Sequence, residues 1–321
     1  MTEVRCSDAA RARCDVALGT APPAMRWLLV EQDGGWLPDT RSSVQAPEAA
    51  LALLDAALAQ AKARLQLIRR PGRDADAEEA PPGHLGRGAS FEHALAAGAP
   101  TEDRDDRQRR WCVIDARLGV EVWGVRDADG GWGGALEALA DPLAAGAVRA
   151  AGVLLVCCHG RHDACCALRG RPVAGVLATQ WPAETWETSH LGGDRFAANL
   201  AVLPDGVLYG YVSAESAVKL VRDHQAGRPD AAHVRGIVGR DPDEQAALLA
   251  AAPLLDEKPW DRRLTTARVA PGPAWRVVVR MGERRVEVRG HDRLTEPARL
   301  TCGASSPRSA LVPVVDAARL V

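Results

Sequence analysis

The sequence predicts an α/β fold, and three features carry that expectation. Short apolar runs of strand character alternate with an alanine- and leucine-rich segment of helical spacing. The order strand, helix, strand, hairpin runs through the first half of the chain and recurs in the second. A loop dense in cysteine and histidine opens directly from the first strand of the second copy, gathering soft donors at a strand end.

Taken in order, residues 26–31 alternate weakly and read as a strand. Pro47 to Leu65 is rich in alanine and leucine with an acidic first turn, which predicts a helix, and Leu65 to Arg69 continues as a short strand. Residues 71–108 change to Asp, Glu, Arg, Gly and Pro, the composition of a polar insertion, with a helical turn expected at Phe91 to Ala96. Trp111 to Asp115 and Val120 to Gly124 read as two strands around a tight turn. In the second half a strand at 152–157, a helix at 165–179, a strand at 185–190, a hairpin at 198–212 and a helix from Ala214 to His224 follow one another. Beyond 240, Asp243 to Ala252 reads as a helix and Trp275 to Arg289 as a hairpin around Met281-Gly-Glu. The remainder, with Cys302 and several prolines, reads as an irregular tail. The expected units are therefore 1–140, 148–240 and 241–321.

A chain of 321 residues with 47% hydrophobic residues can bury more than one core. A net charge of −2 gives no general pull toward nucleic acid or anionic lipid, and no basic stripe with interleaved aromatics occurs. No apolar run is long enough to span a bilayer, and Met1 to Cys6 opens without an apolar leader core. The expectation is a cytoplasmic protein with no membrane or nucleic-acid partner, in a compartment where thiols stay reduced. Eight cysteines in such a chain point to a metal or redox site rather than a disulfide framework.

Four of those cysteines and three of the eight histidines lie between Val153 and Tyr211. The run Val153 to Val156 leads into Cys157-Cys158-His159-Gly160-Arg161-His162-Asp163-Ala164-Cys165-Cys166, and His190-Leu-Gly-Gly-Asp194 follows before the hairpin. Cys157-x8-Cys166, His190-x3-Asp194 and Pro204-Asp-Gly-Val-Leu-Tyr-Gly210, with Gly19-Thr20-Ala21 and Arg26 to Glu31 near the start, resemble the sucrase/ferredoxin-like family. That family is similar in turn to the thioredoxin-like [2Fe–2S] ferredoxins. The resemblance implies a thioredoxin-like ferredoxin domain, preceded by a second, divergent thioredoxin-like α/β domain and followed by a C-terminal helix and β-hairpin extension. Cys6-x7-Cys14 is the only candidate remnant of a ligand loop in the first half.

It also implies one [2Fe–2S] cluster. In those ferredoxins the second ligand pair is Cys-x3-Cys, and in eukaryotic members of the family His-x3-His; here it reads His190-x3-Asp194. The implied ligands are Cys157, Cys166, His190 and Asp194, with Cys165 or Cys158 as the alternative fourth. A helix starting near Cys165 and Cys166 would favour thiolate there. Replacing thiolate by imidazole favours the reduced state: two-His Rieske centres reach about −150 to +300 mV, against roughly −400 mV for all-Cys plant-type ferredoxins. His159 and His162 read as residues that steady the loop around the ligands.

The implied task is one-electron transfer with an unknown redox partner protein, reductase or acceptor, making the chain an electron carrier rather than an enzyme with its own substrate. A structural zinc or cluster-dependent sensor module competes with it, although zinc knuckles generally use Cys-x2–4-Cys. A thiol–disulfide enzyme would carry Cys-x-x-Cys, absent from this loop. No Gly-x-Ser-x-Gly and no His-Glu-x-x-His speaks for a hydrolase.

Overall fold

The structure is a computed structural model, and it describes residues 4–33, 35–72, 109–127, 130–270 and 272–321. The N-terminal half runs α1 (Cys6–Ala12), β1 (Arg26–Glu31), α2 (Thr40–Ser43), α3 (Glu48–Ala61), β2 (Ala63–Arg69), β3 (Arg110–Asp115), β4 (Val120–Val125), α4 (Gly133–Ala140) and β5 (Val148–Arg149). The second half follows as β6 (Val153–Cys157), α5 (Ala164–Gln180), β7 (Thr185–Thr188), β8 (Leu200–Leu203), β9 (Val207–Tyr209), α6 (Ala214–Gln225) and β10 (Val234–Ile237). A short 3-10 turn, Asp194–Phe196, interrupts the segment between β7 and β8.

All ten strands form one sheet in the order β10-β9-β8-β6-β7-β2-β1-β3-β4-β5. In the first half β1 pairs parallel with β2 and antiparallel with β3, and β3 pairs antiparallel with β4. In the second half β6 makes the same pairs with β7 and β8, and β8 with β9. The two halves therefore share one topology, the recurrence of strand order expected from the sequence. They meet where β2 and β7, the equivalent edge strands, pair antiparallel through Ile68↔Thr188 and Arg69↔Glu187. Equivalent strands paired antiparallel relate the halves by an approximate two-fold axis. The segments expected as 1–140 and 148–240 thus share a continuous sheet.

That junction is closed by chemistry as well as by backbone. Arg69 and Glu187 form a buried ion pair, Nε to Oε2 at 2.8 Å, and the Arg69 guanidinium lies 4.6 Å over the Trp36 ring. Side-chain alternation sorts the apolar residues onto two faces. Trp27 and Leu29 share a core with Leu155, Cys157 and Cys166, whereas Leu28 and Val30 pack under α3 and α4 with Leu54 and Leu139. Central strands buried on both faces explain the near-continuous apolar runs at 27–30 and 153–157.

The C-terminal region differs from the expected irregular tail. After α7 (Pro242–Leu255) come β11 (Thr265–Ala270), β12 (Ala274–Met281), β13 (Arg284–Leu294) and β14 (Leu311–Leu320), a four-stranded antiparallel sheet in that order. The predicted hairpin is its centre, and the tail supplies an edge strand paired from Val286↔Leu320 to Leu294↔Leu311. Pro313 concealed this strand in the sequence. A proline has no N–H to give, and an edge position tolerates that loss. The sheet packs Val277, Val279, Val286 and Val288 on Ala247, Ala251 and Leu255 of α7. The insertion at 73–108, with the turn expected at Phe91 to Ala96, lies outside the described residues.

Candidate metal centre

β6 delivers Cys157 at its C-terminal end, fully buried, on the face opposite Cys158. The next loop closes on Asp163, whose carboxylate accepts the Cys165 N–H at 2.9 Å and caps α5. Capping sets Cys166 in the first helical turn, its side chain back against Cys157. The pairing of β2 with the end of β7 makes the loop leaving β7 run alongside β2. There Gln66 accepts hydroxyl hydrogens from Thr188 and Ser189 at 3.1 and 2.9 Å, and Arg64 donates to the His190 carbonyl at 2.7 Å. Gly192 and Gly193 adopt φ of 84° and 70° in this loop, where a Cβ on Gly193 would sit 2.7 Å from the Arg235 guanidinium.

Two overlapping donor groups result. Cys157, Cys166 and His190 place ligand atoms within 4.8 Å of one another, and so do His162, His190 and Asp194. Cys166 Sγ donates to Asp194 Oδ1 at 3.3 Å. His190 Nδ1 lies 3.0 Å from the same oxygen, yet its ring direction misses a hydrogen bond, leaving this buried nitrogen without a partner. His162 stacks on His190 at 3.7 Å between centroids, with Nε2 3.7 Å from Asp194 Oδ2. Cys157 and Cys166 lie beneath; His162, His190, Gly192, Gly193 and Asp194 line a cleft of about 370 Å³.

Charge is organised around these donors. The Cys157 thiol falls well below its ordinary value, because its contact with the Cys166 thiol outweighs burial and His190 and the Leu191 N–H add to it. Cys166 goes the other way, raised by the same contact with Cys157, by burial and by Asp194. The thiolate expected at the helix start is found instead at the end of β6: Cys157 is lowered, while Cys166 in the first turn of α5 is raised. Burial works against a charged His190, but Asp194 and Cys157 together raise it to about 9. Arg235 is fully buried, and burial lowers it to about 10. It donates to the carbonyls of Thr20 and Gly192 and to the Asn199 side chain, and no carboxylate pairs with it among the described residues.

A family model for sucrase/ferredoxin-like proteins matches residues 17–236. The chain belongs to the sucrase/ferredoxin-like family. No curated protein and no solved structure matches it.

In this sucrase/ferredoxin-like protein the four residues singled out from the sequence, Cys157, Cys166, His190 and Asp194, come together in one place. Their donor types can hold a metal. The alternative fourth ligands lie elsewhere. Cys158 faces the opposite core with Val173 and Leu177, and burial pushes its thiol up. Cys165 Sγ lies 3.6 Å from Cys6 and 3.4 Å from Cys302. His159 steadies the loop as expected, but His162 adds a fifth donor whose approach to Asp194 depends on two separate loops folding together. Arg64, Gln66 and Arg235 were not singled out, since nothing in their spacing ties them to the cysteines.

Proposed function

We propose that this chain binds one [2Fe–2S] cluster through Cys157, Cys166, His190 and Asp194, and that it carries single electrons between redox partner proteins. The observation that supports this best is the pair of donor groups sharing His190. A two-iron cluster takes two pairs of donors, and the chain offers Cys157 with Cys166 and His190 with Asp194. The donors fit such a group: two buried thiols, an orphaned imidazole nitrogen and a buried carboxylate. Buried Arg235 and half-buried Arg64, each drawn toward the Cys157 charge, suit an anionic occupant.

When bound, the cluster supplies reversible one-electron chemistry at a potential set by its ligands. The protein does the rest. Cys157 and Cys166 hold the inner side away from water, with the Leu191 N–H donating to the Cys157 sulfur. His190 and Asp194 border the cleft, which gives a partner its shortest approach. Arg64 and Gln66 bond the His190 carbonyl and hold its loop against the N-terminal half.

The test is anaerobic purification with iron, sulfide and zinc counted per chain, and the ultraviolet–visible spectrum recorded before and after dithionite. A brown, reducible protein with paired iron and sulfide is expected. A colourless protein carrying zinc on Cys157 and Cys166 would replace this reading with the structural or sensor module.

A further inference from the structure

Three more thiols converge behind the first turn of α5. Cys6 comes from α1, Cys165 from α5, and Cys302 from the segment joining β13 to β14. Their sulfurs form a nearly equilateral triangle: Cys6 to Cys165 is 3.6 Å, Cys165 to Cys302 3.4 Å, and Cys302 to Cys6 3.5 Å. Asp163 stands beside it, its carboxylate oxygens 3.9 and 3.7 Å from Cys6 Sγ. We propose that Cys6, Cys165, Cys302 and Asp163 form a second metal site, a structural one for a single zinc-type cation, separate from the centre on Cys157 and Cys166.

The dimensions are those of one ion. With Zn–S near 2.3 Å and Zn–O near 2.0 Å, a tetrahedral site has S···S edges of about 3.8 Å and S···O edges of about 3.5 Å. The observed edges agree within a few tenths of an ångström. A disulfide does not account for them, since it would draw two sulfurs to about 2.05 Å and release the third. Nor is this a reactive thiol group. Burial, and then the Asp163 charge, push the Cys6 thiol far up, which makes it a poor nucleophile.

The surroundings are built for the purpose. Asp163 Oδ1 accepts the Cys165 N–H at 2.9 Å and Oδ2 accepts the Cys302 N–H at 2.7 Å. Each oxygen keeps a lone pair, and the two bonds orient the carboxylate toward the sulfurs. Cys6 and Cys165 are buried, with one another, Cys302 and Asp163 as their side-chain hydrogen-bonding neighbours among the described residues. The site has a structural use. The segment around Cys302 is largely exposed, and a metal would fasten it and α1 onto the start of α5, which carries Cys166. Cys6 and Cys302 both lie outside residues 17–236, so the staple would join the segments on either side of the family match to the start of α5 within it.

The experiment uses the full chain. Zinc and iron are counted by mass spectrometry in the wild type, in Cys6→Ser and Cys302→Ser, and in Cys157→Ser. We expect about one zinc per chain in the wild type, retained in Cys157→Ser and lost in Cys6→Ser and Cys302→Ser. Zinc lost only in Cys157→Ser would overturn the proposal. Cobalt(II) titration of metal-free wild type guards against variants that do not fold: it should give the charge-transfer and d–d bands of a tetrahedral thiolate site at one equivalent. No such bands, or a disulfide among the three cysteines in peptide mapping of freshly purified protein, would also overturn it. Iron content reports on the other centre separately, so failure there leaves this result readable.

Discussion

His159 holds the backbone of His190. The His190 N–H donates to His159 Nδ1 over 3.2 Å, and on the far side of the ring His159 Nε2 donates to the Leu37 carbonyl over 2.6 Å. An accepting Nδ1 fixes the neutral Nε2–H tautomer, and burial lowers the pKa of this ring in the same sense. One imidazole therefore ties the ligand loop of the second half to the loop after β1 in the first.

His159→Ala should leave the Leu37 carbonyl and the His190 N–H without partners, at a cost of about 1–3 kcal/mol. The urea midpoint should fall, and bound metal should pass to a chelator faster than from the wild type. An unchanged rate of metal loss would show that this ring does not position His190.

On the proposed cluster, Asp194 and His162 compete for the outermost ligand position. Asp194 touches both Cys166 and His190, whereas His162 is more exposed, stacks on the His190 ring and bonds the Pro38 carbonyl through Nδ1, leaving Nε2 3.7 Å from the carboxylate. Asp194→Ala should give a labile, iron-poor protein, Asp194→His should keep the cluster at a higher potential, and His162→Ala should keep its iron. The opposite ranking of the two alanine variants would move the ligand to His162.

The metal-free protein should show an unusual pH profile. His190, raised from 6.5 to about 9, contributes stability fully present below 6.5 and lost as pH rises through 9. Cys157, lowered from 9.0, contributes stability present above 9.0 and lost as pH falls through its depressed value. Between 6.5 and 9 the folded and unfolded pair bind equal numbers of protons, so their opposing slopes cancel and stability should be flat. In Cys157→Ser the His190 slope stands alone on its pairing with Asp194. Stability should then fall by about 1–2 kcal/mol from pH 6.5 to 9, at 1.36 kcal/mol per pKa unit. Urea unfolding of both proteins at the two pH values decides it, and a flat variant would show that Asp194 alone does not hold His190 charged.

Gly170 sets how closely α5 lies on β6. A Cβ there would stand 2.1 Å from the Cys157 carbonyl oxygen and 3.1 Å from Cys158 Sγ. Glycine to alanine inside a helix ordinarily gains about 0.5–1 kcal/mol. Here the sign should reverse, with a loss of about 1–3 kcal/mol as the helix is forced off the strand. Cys157 would shift with it, so metal content should drop as well. A thermal midpoint at or above the wild type would show that the helix yields freely.

The sequence alone was enough for the α/β class, the repeated strand order and the candidate donors Cys157, Cys166, His190 and Asp194. The class and the strand order depend on local signals, strand ends and helical spacing, whereas the four donors follow from the resemblance to the family. The elements it concealed were those whose local chemistry argues against them, such as β14 with Pro313 at a tolerant edge. Only the tertiary structure decided which face each adjacent cysteine takes. Cys157 and Cys158 part because a strand alternates its side chains. Cys165 and Cys166 part because neighbouring helical residues point about 100° apart. Nor does any spacing in the chain predict that Cys6 and Cys302, on either side of the family segment, meet Cys165. That meeting follows from how α1 and the C-terminal segment dock on α5, long-range packing that no local pattern encodes.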